Sequence, residues 1–129
     1  FIKPAIFDGK IVLCDRFLDS TSAYQGAAKN IPMDTINLLS EITIENFLPD
    51  ITFLLDLDII NATKRISERK EKNKFDSKDV SFYKKVRSEY MLLSKKYERI
   101  KKISAIEPIN NIKDTILNIT IEKIKMYEQ

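Results

Sequence analysis

An acidic residue and an arginine stand side by side, Asp15 and Arg16, directly after the apolar run KIVLC. A carboxylate in that position can hold a hydrated Mg²⁺ ion, and a guanidinium can bind a phosphate through two parallel hydrogen bonds. The dipeptide alone is more often an ordinary ion pair at the end of a strand. The residues that follow it therefore decide between the two interpretations.

The next ten residues, FLDSTSAYQG, place several polar groups close together. If a helix begins near Asp19, then Thr21, Tyr24 and Gln25 share one helix face through i, i+3 and i, i+4 spacing. Thr and Gln can hydrogen-bond the edge of a nucleobase, and a Tyr ring can press against a deoxyribose. A polar helix with Asp19 or Ser20 as its N-cap explains the segment equally well.

Apolar patterns predict the elements that position these residues. Short apolar runs bounded by turn residues indicate buried parallel strands at 10–15, 51–58 and 101–107. Apolar residues at helical spacing indicate helices at 34–47 (with a possible cap at Asp34), 79–97 and 110–127. Residues 1–8 are expected to be the end of a helix that stops at Gly9. Alternating strands and helices predict an α/β fold with right-handed crossovers. Ligands of such sheets bind at the carboxyl ends of strands, and here only Asp15 is followed by chemically reactive residues.

Three groups of residues are better explained by structure than by chemistry. Cys14 is expected to be a core residue, because it directly precedes Asp15 in a strand predicted to be buried, and the chain contains no His to activate it. Asp56 and Asp58 are interpreted as polar groups at a strand end rather than as metal ligands. Phe82 and the tyrosines of helix 79–97 are expected to pack in the core or at a dimer contact.

Composition excludes several classes of protein. The 129 residues, 43% hydrophobic and 32% charged, suit a single domain. With one Cys and no His, the chain has neither an internal disulfide nor the usual ligands of zinc. No apolar stretch reaches the roughly 18–20 residues of a membrane span, and we expect a reducing, cytoplasmic compartment. The chain begins at Phe1 rather than at Met. With only two glycines, it has no G-x-x-x-x-G-K-[ST] loop. From both observations we expect it to be a piece of a longer protein.

Residues 64–102 are strongly basic, with 15 basic and 6 acidic residues. Solvated helix faces are the usual explanation of such a run. A module that binds RNA or DNA is the alternative, and it would show a steep salt dependence. Nucleic-acid binding is disfavoured because acidic residues interrupt the run and no exposed aromatic series accompanies it.

The string DRFLDSTSAYQG resembles the DR(Y/H/F)-x-x-S-(S/T/N)-x-A-Y-Q-G segment of bacterial thymidylate kinases. Four further segments match that family in order: FIKPAIFDGKIVLCD, LPDITFLLDLD, KRISERKEKNKFD and FYKKVRSEYMLL. The resemblance implies a P-loop kinase-type three-layer sandwich with a parallel sheet. Residues 1–129 would be the C-terminal two-thirds of one such domain, without its first strand and P-loop.

The same resemblance implies an activity, the transfer of the γ-phosphoryl group of ATP to dTMP, with Mg²⁺ as cofactor and a homodimer as the usual assembly. Arg16 would bind the dTMP phosphate and steady the transferring group, and Asp15 would sit near Mg²⁺ and contact it through water. Phosphoryl transfer mainly requires positioning and charge neutralisation, so the absence of a nucleophilic side chain is no obstacle.

The remaining dTMP contacts come from the helical segment. The resemblance implies that Thr21 and Gln25 hydrogen-bond thymine, and Ser20 belongs to the same dTMP-binding group. Tyr24 matches the ring that crowds the 2′ position and disfavours ribonucleotides.

Residues of the ATP side follow the second predicted strand. Arg65 and Arg69 match an R-x-x-x-R pair of the family, and residues 70–78 occupy the position of its lid over ATP. Lid closure would exclude water. The candidates for a lid contact to the ATP phosphates are Arg69, Lys70 and Lys74.

The chain departs from the family where Lys29 and Asn30 replace an Arg and a Gly. It also lacks the Walker A residues, the Phe that stacks on thymine and the Arg that reads its O4. We therefore expect residues 1–129 alone to be inactive. Another nucleoside monophosphate kinase, or a truncated relative that only dimerises, remains an alternative.

Overall fold

The structure is a computed structural model, and it describes residues 1–45, 47–68 and 77–127, without the side chains of 66–68 and 77–79. The elements of the first half are α1 (Ile2–Phe7), α2 (Leu18–Thr21), a π-helix (Ser22–Ala28) and α3 (Met33–Ile44). The elements of the second half are β1 (Thr52–Asp56), α4 (Ile59–Glu68), α5 (Ser77–Lys96), β2 (Ile100–Ser104) and α6 (Ile109–Lys125). No helix in these ranges is both long enough and apolar enough to cross a bilayer.

A parallel pair of strands, β1 and β2, forms the sheet of the described residues. The register runs from Thr52 opposite Ile100 to Asp56 opposite Ser104. This confirms the strands predicted at 51–58 and 101–107, each shortened to five residues. Parallel strands need a long crossover, which α4 and α5 belong to.

The core lies between α5, the sheet and the π-helix. Its buried apolar residues within the described ranges are Ala23, Ile36, Val86, Leu93, Ile100 and Ile103. Val86 and Leu93 come from the α5 face that the 3-and-4 spacing predicted. α5 therefore serves as a support on which both the sheet and the π-helix rest.

The prediction of a strand at 10–15 is wrong. Residues 10–14 have no regular secondary structure and pair with no strand in the described part of the chain. An apolar run becomes a strand only when a neighbour supplies backbone partners. Leu13 is 92% exposed. Cys14 is exposed as well, so its predicted burial, which depended on that strand, is also wrong.

The segment after Arg16 is helical, as predicted, but its details differ. Phe17, rather than Asp19 or Ser20, is the N-cap of α2, and from Ser22 onward the helix widens into a π-helix. π-helical turns are rare and concentrate at functional sites. Gly26 lies inside this turn, where a Cβ would come within 2.5 Å of the Met33 Sδ. The missing side chain thus lets α3 start close against the π-helix.

The helix predicted at 34–47 is α3, and its start differs from the prediction. Pro32 is the N-cap, so Asp34 lies in the first turn and does not cap the helix. Ile36 is buried, whereas Leu39 and Ile42, on the same predicted apolar face, are 54% and 68% exposed. The face is therefore apolar as predicted but only partly covered by the described residues.

Candidate functional site

Arg16 has an unusual backbone conformation in the bend that precedes α2. Its φ of 69° lies in the left-handed region, which is uncommon for a residue other than glycine. The Arg16 Nε donates a hydrogen bond to the Ser20 Oγ at 3.3 Å. The guanidinium carbon lies 4.3 Å from the centre of the Tyr24 ring, within the range of a cation–π contact. Arg16, Ser20 and Tyr24, all predicted as site residues, are therefore together.

Helix α5 contacts two residues of this cluster, Ser20 and Tyr24. The hydroxyls of Ser20 and Tyr90 are 2.8 Å apart, and the rings of Tyr24 and Phe82 meet edge to face at 5.9 Å. Both contacts join the helical segment to α5. Phe82 and the tyrosines of this helix were predicted to pack in the core or at a dimer contact. Phe82 is half-buried against Tyr24, whereas Tyr83 is 41% exposed and so is not a core residue. Tyr90 adds a polar contact that the sequence did not indicate.

A pocket of about 330 Å³ adjoins the cluster at the carboxyl end of β1. Its lining residues are Tyr24, Leu54, Leu55, Asp56, Leu57, Ile59, Ala62, Tyr83, Val86, Arg87, Tyr90 and Met91. The lining is mostly apolar with a few polar groups, which is typical of sites for small organic ligands. Its position agrees with the rule that parallel sheets bind ligands at the carboxyl ends of their strands.

Three other predicted site residues have polar side chains that form no hydrogen bond or ion pair within the described ranges. The side chains of Thr21 and Gln25 are half-buried and form no hydrogen bond within the described ranges. Asp15 is exposed and makes no ion pair there either. These groups are free to contact a ligand.

An ion pair that the sequence analysis missed anchors the segment. Asp19, 8% exposed, accepts hydrogen bonds from the Arg99 Nη1 and Nη2 at 2.8 and 2.7 Å. The Arg99 Nη1 also donates to the Thr52 Oγ1 at 2.8 Å. The hydrogen bond to Asp19 raises the pKa of Arg99 above its ordinary value. The pair ties α2 to the start of both strands, and no local pattern could reveal a contact across 80 residues.

The acidic residues after β1 have structural partners. The Arg87 Nε and Nη2 donate to the two oxygens of Asp56 at 2.7 and 3.0 Å. These bonds lower the pKa of Asp56 and raise that of Arg87. Asp58 accepts a hydrogen bond from the Asn61 N–H at 2.9 Å at the start of α4, which lowers the pKa of Asp58. Their interpretation as polar groups at a strand end is confirmed.

The ATP-side candidates are only partly within the described residues. Arg65 lies on α4 and donates from Nη2 to the carbonyl of Ala105 at 2.8 Å, beside the end of β2. Arg69, Lys70 and Lys74 lie outside the described residues.

No group of three or more metal-ligating side chains occurs in the described ranges. Mg²⁺ usually keeps several waters and takes one or two carboxylates together with substrate phosphates. The exposed carboxylate of Asp15 suits that pattern, whereas a site built from protein ligands alone is not found in this part of the chain.

Comparison with known proteins gives a consistent result. A family model described as thymidylate kinase matches residues 1–116. The thymidylate kinase of Clostridium novyi is 43% identical over 114 residues, covering 86% of this chain and 56% of that protein. Those of Exiguobacterium sp. and Mycoplasma capricolum are 39% and 40% identical, covering 96% and 99% of this chain and 59% and 62% of their own lengths. The chain thus spans a little over half the length of these relatives.

Proposed function

Since this chain belongs to the thymidylate kinase family of P-loop kinases, we propose that the protein containing it transfers the γ-phosphoryl group of ATP to dTMP and forms dTDP. The observation that carries the proposal is the Arg16 cluster beside the pocket at the end of β1. An arginine fixed by a hydrogen bond and a ring contact is a suitable ligand for a phosphate.

Arg16 binds the phosphate of dTMP in this proposal. Its Nε bonds Ser20 and its face lies on Tyr24, so the terminal nitrogens remain available for two phosphate oxygens. A guanidinium there offsets the charge of the acceptor and of the group in transfer. Positioning and neutralisation are the main requirements of phosphoryl transfer.

The nucleoside of dTMP contacts the helical segment. Thr21 and Gln25 hydrogen-bond the thymine edge, and their side chains have no other partner in the described ranges. The Tyr24 ring borders the pocket and excludes a 2′-hydroxyl. Ser20 belongs to this dTMP-binding group through its bond to Arg16.

ATP and Mg²⁺ complete the reaction. Mg²⁺ bound with ATP would supply positive charge that offsets the charge of the phosphates. Asp15 would hold one of its waters. Arg65 lies on the ATP side of the site, and Arg69, Lys70 and Lys74, within or next to the lid at about 70–78, are the candidates for contacts to the ATP phosphates.

We propose a homodimer in the cytoplasm as the working form. Exposed apolar residues on α3, Leu38 and Leu39, and the uncovered Ile42 offer a surface for such a contact.

Coupled ADP release measures the proposed activity. The assay uses the longest natural polypeptide containing this segment, because residues 1–129 hold no glycine-rich phosphate loop. With dTMP, dUMP, dGMP and AMP as acceptors, we expect dTMP to give the highest kcat/KM. A preference for AMP or dGMP would instead indicate another nucleoside monophosphate kinase.

A further inference from the structure

Tyr90 is linked to Arg16 through Ser20. The Tyr90 hydroxyl lies 2.8 Å from the Ser20 Oγ, which in turn accepts the hydrogen bond of the Arg16 Nε at 3.3 Å. We propose that Tyr90 is a positioning residue, which fixes Ser20 so that Arg16 presents its terminal nitrogens to the acceptor phosphate. This inference rests on the proposed function for the role of Arg16.

Arg16 needs such support because it is exposed and has a long, flexible side chain. The Tyr24 ring restrains one face of the guanidinium, at 4.3 Å, but a face contact still permits rotation within the plane of the group. The hydrogen bond from Nε to Ser20 stops that rotation. It uses one of the five N–H donors and directs the edge formed by the two terminal nitrogens away from Ser20.

Ser20 alone would be a poor restraint, since a serine hydroxyl rotates to suit its surroundings. The bond with Tyr90 removes that freedom in either orientation. If Tyr90 donates, the Ser20 Oγ accepts from both neighbours. If Ser20 donates to Tyr90, its lone pair still accepts from Arg16.

Tyr90 in turn lies on a helix that packs against both the sheet and the π-helix. It lies on α5 between the buried residues Val86 and Leu93. On the same helix, Arg87 forms two hydrogen bonds with Asp56 at the end of β1. Tyr90 therefore connects Arg16, through Ser20, to a helix that is bonded to the end of β1. In this proposal the FYKKVRSEYMLL segment orients the phosphate-binding arginine in addition to packing.

Kinetics of the full-length protein test the proposal through Tyr90→Phe, which removes only the hydroxyl. We expect kcat/KM for dTMP to fall about three- to tenfold, the effect of one lost hydrogen bond, with the KM for ATP unchanged. Tyr97→Phe is the matched control, because its ring contacts with Lys96 and Arg99 do not need the hydroxyl. In a Ser20→Ala background, Tyr90→Phe should have no further effect, since the link passes through Ser20.

A second measurement does not depend on turnover. The hydrogen exchange rate of the Arg16 Nε–H, followed by NMR and assigned with Arg16→Lys, should rise in Tyr90→Phe and in Ser20→Ala but not in Tyr97→Phe. Wild-type kinetics in Tyr90→Phe, additive effects in the double variant, or unchanged exchange would each overturn the proposal. Absence of turnover by the wild-type protein would refute the proposed function, while the exchange rates would still decide whether Tyr90 holds Arg16.

Discussion

Arg99, in the turn before β2, binds Asp19 of α2 through two hydrogen bonds of 2.7 and 2.8 Å across 80 residues of chain. The side chains are only 15% and 10% exposed. The segment that carries Arg16 and Tyr24 is therefore attached to the sheet by a buried charge pair rather than by apolar packing alone.

Removing one member of this pair should destabilise the protein strongly. Asp19→Ala leaves Arg99, whose side chain is only 15% exposed, without its charge partner, and we expect the free energy of unfolding to fall by about 3 kcal/mol. Urea denaturation of the full-length protein measures this change. Asp8→Ala, which breaks the exposed pair between Asp8 and Lys10, is the control and should cost less than about 1 kcal/mol. Equal losses in the two variants would contradict the anchoring role.

The pair of Asp56 and Arg87 should make stability depend on acid pH. Because Arg87 lowers the pKa of Asp56 in the folded state, the stability that the pair contributes is fully present above the ordinary carboxyl value of 3.8. It is lost as the pH falls below 3.8 and through the lowered pKa of the folded state. We expect Asp56→Asn to be less stable than wild type at pH 7 and to lose less stability between about pH 5 and pH 3.

Thermal unfolding across that pH range measures the effect. Asp114→Asn, an exposed change on α6, is the control and should follow the wild-type curve. Parallel curves for Asp56→Asn and wild type would show that the pair is not the source of the acid dependence.

The variant Arg65→Ala tests whether Arg65 binds ATP or has only a structural role. If Arg65 contacts ATP, Arg65→Ala should raise the KM for ATP about tenfold and leave the KM for dTMP unchanged. Lys113→Ala, which removes an exposed cation of α6, should change neither value. If only the unfolding free energy falls, the hydrogen bond to the Ala105 carbonyl is the whole role of Arg65.

Tyr24 should determine the choice of sugar. Tyr24→Ala opens space beside the ribose, and we expect the preference for dTMP over its ribonucleotide, 5-methyluridine monophosphate, to fall about 10- to 100-fold. Tyr24→Phe keeps the ring and should retain the preference. Ratios of kcat/KM for the two nucleotides provide the measurement, and an unchanged ratio in Tyr24→Ala would exclude this role.

Local patterns were sufficient to predict the strands and most helices. The apolar runs around Thr52–Asp56 and Ile100–Ser104 predicted a parallel pair, and helical spacing predicted which face of α5 is buried. The same rule failed for residues 10–14, because an apolar run does not reveal whether a neighbouring strand is present.

Part of the site was predictable because some of its residues lie close together in the sequence. Arg16, Ser20 and Tyr24 lie within nine residues, so their types and spacing indicated a cluster. Tyr90 contacts Ser20 of this cluster from 70 residues away, and Arg99 contacts the adjacent Asp19 from 80 residues away. Such contacts depend on how the elements pack. The π-helix at Ser22–Ala28 has no clear sequence signal either.

The central claim is that Arg16 binds the acceptor phosphate of a dTMP kinase. Coupled ADP release by the full-length protein, with dTMP varied, tests it in wild type, Arg16→Lys and Arg16→Ala. We predict Mg²⁺-dependent turnover that prefers dTMP, a loss of about 10³-fold or more in Arg16→Ala, and only partial recovery in Arg16→Lys, which lacks the bidentate geometry. No turnover with any monophosphate, or full activity in Arg16→Ala, would contradict the claim.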